Sequence, residues 1–121
     1  MVKYYFDTYA LFEIIKGNPN YAKYTQEEMS TGILNLYELY CNLIKEIPKE
    51  KAKDYFNHFK EYVMPFTSEI IFKASEFKIE NKKENISYVD ALGYAMALEK
   101  GMKFLTGDKA FKNKANVEFI K

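Results

Sequence analysis

The sequence contains no arginine, and all eighteen of its basic residues are lysines. Arginine carries the planar fork that recognises phosphate and guanine through paired hydrogen bonds. Its absence excludes base-specific readout of nucleic acid through arginine. The formal net charge is only +1, so any contact with nucleic acid or with a membrane surface has to depend on a local patch.

Cysteine and histidine are equally scarce, because Cys41 and His58 are each the only residue of their type. A lone cysteine cannot form an internal disulfide or a thiolate metal site, and we expect Cys41 to be a small buried hydrophobic residue. A lone histidine cannot build a multi-histidine metal site, and we interpret His58 as a surface residue of a charged and aromatic helix. The chemistry open to this chain therefore falls to carboxylates.

Long apolar runs and an N-terminal targeting segment are also absent. No stretch approaches the roughly 18 uninterrupted apolar residues of a membrane span, and the N-terminus lacks the basic and apolar regions of a signal peptide. The chain has 121 residues, of which 48% are hydrophobic. We therefore expect one domain over 1–121, located in the cytoplasm and without membrane contact.

Strand and helix patterns alternate along most of the chain. Strands are predicted in the apolar run that ends at Phe6 and over 29–34, 63–66, 103–106 and 116–120. Pro65 places the third of these at a sheet edge. Helices are predicted over 9–16, 35–47, 49–62, 67–82 and 86–101. The alternation predicts an α/β fold in which helices cover both faces of a mainly parallel sheet.

Four acidic residues come directly after predicted strands or in the first turns of predicted helices, namely Asp7, Glu38, Asp90 and Asp108. The carboxyl ends of parallel strands meet at one edge of the sheet, where ligands bind in such folds. We therefore expect these carboxylates to converge there. Clustered carboxylates repel one another, and a cation relieves that repulsion. Hard oxygen ligands select Mg²⁺ or Mn²⁺, which can assist phosphodiester hydrolysis.

A simpler interpretation is that each acid only caps a helix. Asp7 would cap the helix that begins near Tyr9. Glu38 would complete a capping box begun by Asn35, and Asp90 would complete one begun by Ser87. Caps require one acid at each helix, but they do not require those acids to share a crevice.

Four short motifs occur in order along the chain. They are Phe6-Asp7-Thr8-Tyr9-Ala10-Leu11, Leu36-Tyr37-Glu38-Leu39, Val89-Asp90-Ala91-Leu92 and Leu105-Thr106-Gly107-Asp108-Lys109-Ala110-Phe111. This ordered set resembles the PIN domain, in particular the VapC-type toxins, and it covers nearly the whole chain. The resemblance implies a three-layer α/β/α sandwich and a metal-dependent endoribonuclease that acts on RNA. It also implies a homodimer and neutralisation by a small VapB-like antitoxin.

The resemblance also implies roles for individual residues. Asp7, Asp90 and Asp108 would be ligands of Mg²⁺ or Mn²⁺, and Glu38 would bind the metal directly or through water. Thr106 would be a supporting hydroxyl, and Thr8 would play a similar part. Three lysines that follow Asp108 could contact phosphates or form a solvated surface run, namely Lys109, Lys112 and Lys114. Many members of the family carry an arginine near the groove, and this chain has none.

Two other functions compete with this hypothesis. A phosphoacceptor receiver domain has a similar length and an acidic pocket, but it needs an adjacent acidic pair and a Lys-Pro dipeptide. Here Thr8 follows Asp7, and no Lys-Pro occurs. The alternative is a PIN-like binding module without catalytic activity that acts through a protein or RNA partner. Retention of all four acids argues against that alternative.

Overall fold

The computed structural model describes residues 2–121. Their strands are β1 (Lys3–Phe6), β2 (Glu28–Ser30), β3 (Lys103–Thr106) and β4 (Val117–Phe119). Their α-helices are α1 (Thr8–Ile15), α2 (Ile33–Leu43), α3 (Lys49–Lys60), α4 (Ser68–Glu80) and α5 (Tyr88–Glu99). The single domain expected over 1–121 stays a prediction, and its first residue, Met1, lies outside the described residues.

The strands form one sheet in the order β2-β1-β3-β4, and every pairing in it is parallel. β1 is an interior strand whose apolar side chains alternate between the two faces of the sheet. Tyr4 and Phe6 pack in the core on one face, whereas Tyr5 packs in the core on the other. The predicted parallel sheet is confirmed.

Helices cover both faces of this sheet. Leu11 of α1, Leu36 of α2 and Ala52 of α3 belong to the core cluster that contains Tyr4 and Phe6. Helices α4 and α5 supply the second cluster, around Tyr5. The three-layer α/β/α sandwich expected from the sequence is therefore present.

Helix α2 differs from the prediction at both ends. It begins at Ile33 after Gly32, which caps it without a side-chain hydrogen bond, and it ends at Leu43. Asn35 lies inside the helix and is only 1% exposed. The predicted capping box of Asn35 and Glu38 is therefore wrong, because the Asn35 side chain bonds to other side chains instead of to the helix amides.

Two predicted strands also change. β2 ends at Ser30, because the chain turns into α2 from Ile33 onward. The predicted edge strand over 63–66 is wrong, since Val63 makes only an isolated parallel bridge with Thr31. Pro65 has no amide hydrogen with which to extend that pairing. Among single residues, Cys41 is partly exposed instead of buried, and His58 is exposed as predicted.

The other helix starts agree with the sequence pattern. Thr67 caps α4 by accepting a hydrogen bond from the Ile70 amide at 3.2 Å. Ser87 caps α5 by accepting one from the Asp90 amide at 3.0 Å. Within residues 2–121, every helix is too short or too polar to span a bilayer.

Candidate active site

The register of the sheet places the ends of β1 and β3 side by side. Phe6 pairs with Leu105 in this parallel register, so the residues that follow them, Asp7 and Thr106, are neighbours. The Asp7 amide continues the pairing by donating to the Leu105 carbonyl at 3.1 Å. Asp108 follows two residues later, and a parallel sheet therefore brings two acids from opposite ends of the chain to one edge.

The Asp7 carboxylate lies in a closed environment and is only 2% exposed. One oxygen accepts a hydrogen bond from the Thr8 amide at 2.6 Å, and the other accepts one from the Thr106 hydroxyl at 2.5 Å. The same hydroxyl oxygen accepts from the Asp108 amide at 3.0 Å. Thr106, which is fully buried, therefore links the Asp7 side chain to the backbone at Asp108.

Burial and neighbouring negative charges both raise the pKa of Asp7. The pKa of Asp7 is raised to about 8, chiefly by burial, then by the charge of Asp90 and more weakly by that of Asp108. The hydrogen bonds from Thr106 and Thr8 lower the pKa and offset part of this effect. Asp7 therefore lies close enough to two other carboxylates to interact strongly with them.

Asp90 has the same kind of environment on α5. The pKa of Asp90 is raised to about 6, chiefly by burial, then by the charge of Asp108 and more weakly by that of Glu38. Interactions with Ser87 lower it. The four acids predicted from the sequence therefore interact at one edge of the sheet, since each influences the pKa of Asp7 or Asp90.

Glu38 lies in α2, on the turn that follows Asn35. Its Oε1 atom accepts a hydrogen bond from the Thr8 hydroxyl at 2.7 Å. Thr8 is the first residue of α1. Helices α1 and α2 are therefore connected through a carboxylate.

The capping interpretation also holds for part of the cluster. Asp7 is the N-cap of α1, and Asp108 caps the 3₁₀ turn Lys109–Phe111 by accepting from the Ala110 amide at 3.0 Å. Capping accounts for one oxygen of each side chain. It does not account for the repulsion between the acids that, after burial, adds to the raised pKa values of Asp7 and Asp90.

A cavity of about 340 Å³ opens beside Asp7 and Asp108. Tyr9, Gly107, Lys109 and Lys121 complete its lining. Two of the three lysines predicted to contact phosphate do not line this cavity. Lys112 is exposed elsewhere on the surface, and Lys114 pairs with Glu84 at 2.5 Å.

The donor chemistry of the site fits a hard divalent cation. Carboxylate oxygens are the ligands that Mg²⁺ and Mn²⁺ prefer, and a cation would relieve the repulsion around Asp7. Within residues 2–121, however, no three acidic, histidine or cysteine side chains come close enough to form a complete metal cluster. Mg²⁺ is usually held by one or two carboxylates and keeps several waters, so the site fits a hydrated ion and not a closed protein cage.

A family model described as PIN domain matches residues 4–117 of the sequence. The chain belongs to the PIN domain family. Members of this family are generally nucleases, that is, hydrolases. The match includes every acid of the cluster, and it agrees with the resemblance seen in the four sequence motifs. A comparison with curated proteins gives no match.

Solved structures share the PIN fold at low sequence identity. A toxin–antitoxin complex from Klebsiella pneumoniae has a TM-score of 0.75 at 16% identity, with 94% of each chain covered. VapBC2 from Rickettsia felis, bound to a promoter DNA fragment, has a TM-score of 0.75 at 19% identity, with 98% of each chain covered. DNA-bound VapBC from Salmonella typhimurium has a TM-score of 0.76 at 15% identity, and the alignment covers 99% of this chain and 98% of the Salmonella chain.

Two side chains near the PIN acids, Asn35 and Tyr5, are not identified as site residues by the sequence. The sequence pattern predicts Asn35 as a helix cap and Tyr5 only as an apolar strand residue. The spacing of Asn35 and Glu38 was the available signal, because residues three apart lie on the same face of a helix. Their link to Tyr5 could not be read from the sequence, since it joins residues 30 positions apart.

Proposed function

We propose that this PIN domain protein is an endoribonuclease that hydrolyses RNA phosphodiester bonds with Mg²⁺ or Mn²⁺. The observation that carries the proposal is the buried Asp7 carboxylate, whose pKa is raised by burial and by the charges of Asp90 and Asp108. Such repulsion costs folding free energy. Binding of a divalent cation at this edge explains why the acids are kept together.

Different residues of the site would bind the cation and the RNA. Asp7, Glu38, Asp90 and Asp108 would hold Mg²⁺ or Mn²⁺, which would supply Lewis-acid stabilisation of the charge that develops on the phosphodiester. Thr106 fixes the orientation of Asp7 through its hydroxyl. The lysines that line the cavity beside these acids would attract the RNA backbone.

The test is cleavage of a mixed, structured RNA by the purified protein with Mn²⁺ or Mg²⁺, compared with EDTA. Asp90→Asn is the decisive variant, because the Ser87 cap uses the Asp90 backbone amide and survives the substitution. Asp54→Asn is the matched control, since Asp54 is an exposed acid of α3. We expect cleavage by the wild type and by the control, and loss of cleavage with EDTA or with Asp90→Asn.

The alternative is a PIN-like binding module without nuclease activity. The interaction of all four acids at one edge of the sheet argues against it. If the wild type binds no Mn²⁺ and cuts no RNA under any of these conditions, the nuclease proposal is abandoned in favour of the binding module.

We also propose that the protein is the toxin of a VapBC-type toxin–antitoxin pair and that it acts as a homodimer. The support comes from fold similarity to proteins that were solved as VapBC complexes. A short protein encoded beside this chain should suppress the RNA cleavage when both are purified. Light scattering of the isolated protein should give twice the mass of 14.3 kDa, and a monomer mass would contradict the dimer.

A further inference from the structure

A chain of hydrogen bonds connects the core of the protein to Glu38. The Tyr5 hydroxyl donates to Oδ1 of Asn35 at 2.5 Å. Nδ2 of Asn35 donates to Oγ1 of Thr8 at 3.0 Å, and the Thr8 hydroxyl donates to Oε1 of Glu38 at 2.7 Å. Tyr5 is fully buried, and Asn35 is 1% exposed. We call these four side chains the Tyr5 relay.

The direction of hydrogen-bond donation along the relay decides whether the Glu38 carboxylate has a hydrogen-bond donor. A threonine hydroxyl has one hydrogen, and Thr8 can give it to Glu38 because Asn35 donates to the Thr8 oxygen. If the Asn35 amide were turned over, Oδ1 would compete with Glu38 for the single Thr8 hydrogen. Tyr5 opposes that orientation, since a neutral phenol gives its hydrogen to Oδ1 of Asn35.

Packing fixes the position of the Tyr5 ring. A Cβ atom at Gly32 would lie 2.5 Å from the Tyr5 hydroxyl, and one at Gly93 would lie 2.7 Å from Cε1 of the ring. Both contacts are too short for any side chain other than hydrogen. The ring also stacks on Phe104 with the centroids 5.9 Å apart. The hydroxyl therefore starts from a rigid position.

The simplest alternative is that these bonds only satisfy buried polar groups. An apolar residue at position 35 would leave no amide to satisfy, however. The Thr8 hydroxyl also lies much closer to the Glu38 carboxylate, at 2.7 Å, than to its other acceptor, the Asn35 backbone carbonyl, at 3.5 Å. We propose that Tyr5 and Asn35 are positioning residues: they hold the Thr8 hydroxyl as a donor to Glu38 and so keep that carboxylate in one orientation at the acid cluster. This inference rests on the proposed metal-dependent function.

The test measures the affinity of the metal-free protein for Mn²⁺ by calorimetry, together with kcat and KM for RNA cleavage. The variants are Tyr5→Phe, Asn35→Leu, Thr8→Val and the conservative Thr8→Ser. Tyr94→Phe is the matched control. Tyr94 belongs to the same core cluster as Tyr5, but its hydroxyl donates to the Ala115 carbonyl, away from the acids.

We expect Thr8→Val and Asn35→Leu to weaken Mn²⁺ binding by about 10–100-fold, the range found for groups that orient metal ligands. Tyr5→Phe should weaken it in the same direction by a smaller factor. The loss in cleavage should appear in kcat, with the KM for RNA changed by no more than about twofold. Thr8→Ser and Tyr94→Phe should bind Mn²⁺ like the wild type.

The inference is overturned if Tyr5→Phe and Thr8→Val lose stability as Tyr94→Phe does but keep the wild-type affinity for Mn²⁺. In that case the relay is structural only, and the nuclease proposal stands. If Asn35→Leu does not fold, the Mn²⁺ affinities of Tyr5→Phe, Thr8→Val and Thr8→Ser decide whether the relay positions Glu38. A wild-type protein that neither binds Mn²⁺ nor cleaves RNA overturns the proposed function first, and the inference with it.

Discussion

At Asp7, burial and like charge act in the same direction, and the protonation of this residue follows from both. Its pKa lies at about 8, above the ordinary value of 3.8. The folded protein therefore binds this proton more tightly than the unfolded chain does. The resulting contribution to stability is fully present below pH 3.8 and is lost as the pH rises through about 8.

We predict that the thermal midpoint of the metal-free protein falls as the pH is raised from about 4 to about 8 and levels off above that range, with a slope of up to about 1.4 kcal/mol per pH unit in the free energy of unfolding. Asp7→Asn should flatten this profile. Asparagine still accepts from the Thr8 amide and turns an amino group toward Thr106. Thermal unfolding in EDTA across this pH range measures both proteins, and equal slopes would contradict the assignment to Asp7.

Thr106 is the second residue whose role can be isolated, because its hydroxyl serves Asp7 and the Asp108 amide at once. Thr106→Val keeps the shape of the side chain and removes both bonds. We predict a loss of about 10–100-fold in RNA cleavage, as for other groups that orient ligands, whereas Thr106→Ser retains most of the activity. Steady-state cleavage assays compare the two, and an active valine variant would show that Asp7 needs no such support.

At the scale of elements, the sequence patterns located helices better than they located helix starts. Ser87 and Thr67 were identifiable as caps because their hydroxyls are the groups that helix amides need. The start of α2 was misplaced because Gly32 offers no side chain to mark it. The predicted β2 extends too far for the same reason, since no side chain between Ser30 and Ile33 marks the start of the helix.

Gly93 of α5 gives an element-scale prediction. An alanine there would place its Cβ 2.7 Å from the Tyr5 ring and 3.1 Å from Phe104. Such overpacking costs about 1–3 kcal/mol in the free energy of unfolding, measurable by urea denaturation. Combining Gly93→Ala with Tyr5→Leu, which removes the ring, should cost less than the sum of the single changes. If the two costs simply add, the destabilisation by Gly93→Ala does not come from its contact with the Tyr5 ring.

At the scale of the whole molecule, the alternation of strands and helices was sufficient to predict the parallel sheet and its two helical layers. It was also sufficient to bring Asp7 and Asp108 to one edge, because parallel strands fix that edge. The relay through Asn35 depends on side-chain packing between distant segments. Sequence periodicity holds no information about such contacts.

Metal binding should be visible as a change in the stability of the whole protein. We predict that Mn²⁺ at 100 times its dissociation constant raises the free energy of unfolding by about 2.7 kcal/mol. At one fixed Mn²⁺ concentration the gain should be smaller at pH 6 than at pH 8, because Asp7 has to release its proton first. Thermal shift assays of the wild type, Asp90→Asn and the Asp54→Asn control test this, and a shift retained in Asp90→Asn would contradict the site.

The hydrogen bond between Thr106 and Asp7 joins residues 99 positions apart. At about 5–20 residues per second, a ribosome needs on the order of 5–20 s to cover that interval. Throughout that time the nascent chain carries its first acid without the strand and the hydroxyl that complete the surroundings of that acid. The acid cluster can therefore be complete only after β3 has left the ribosome.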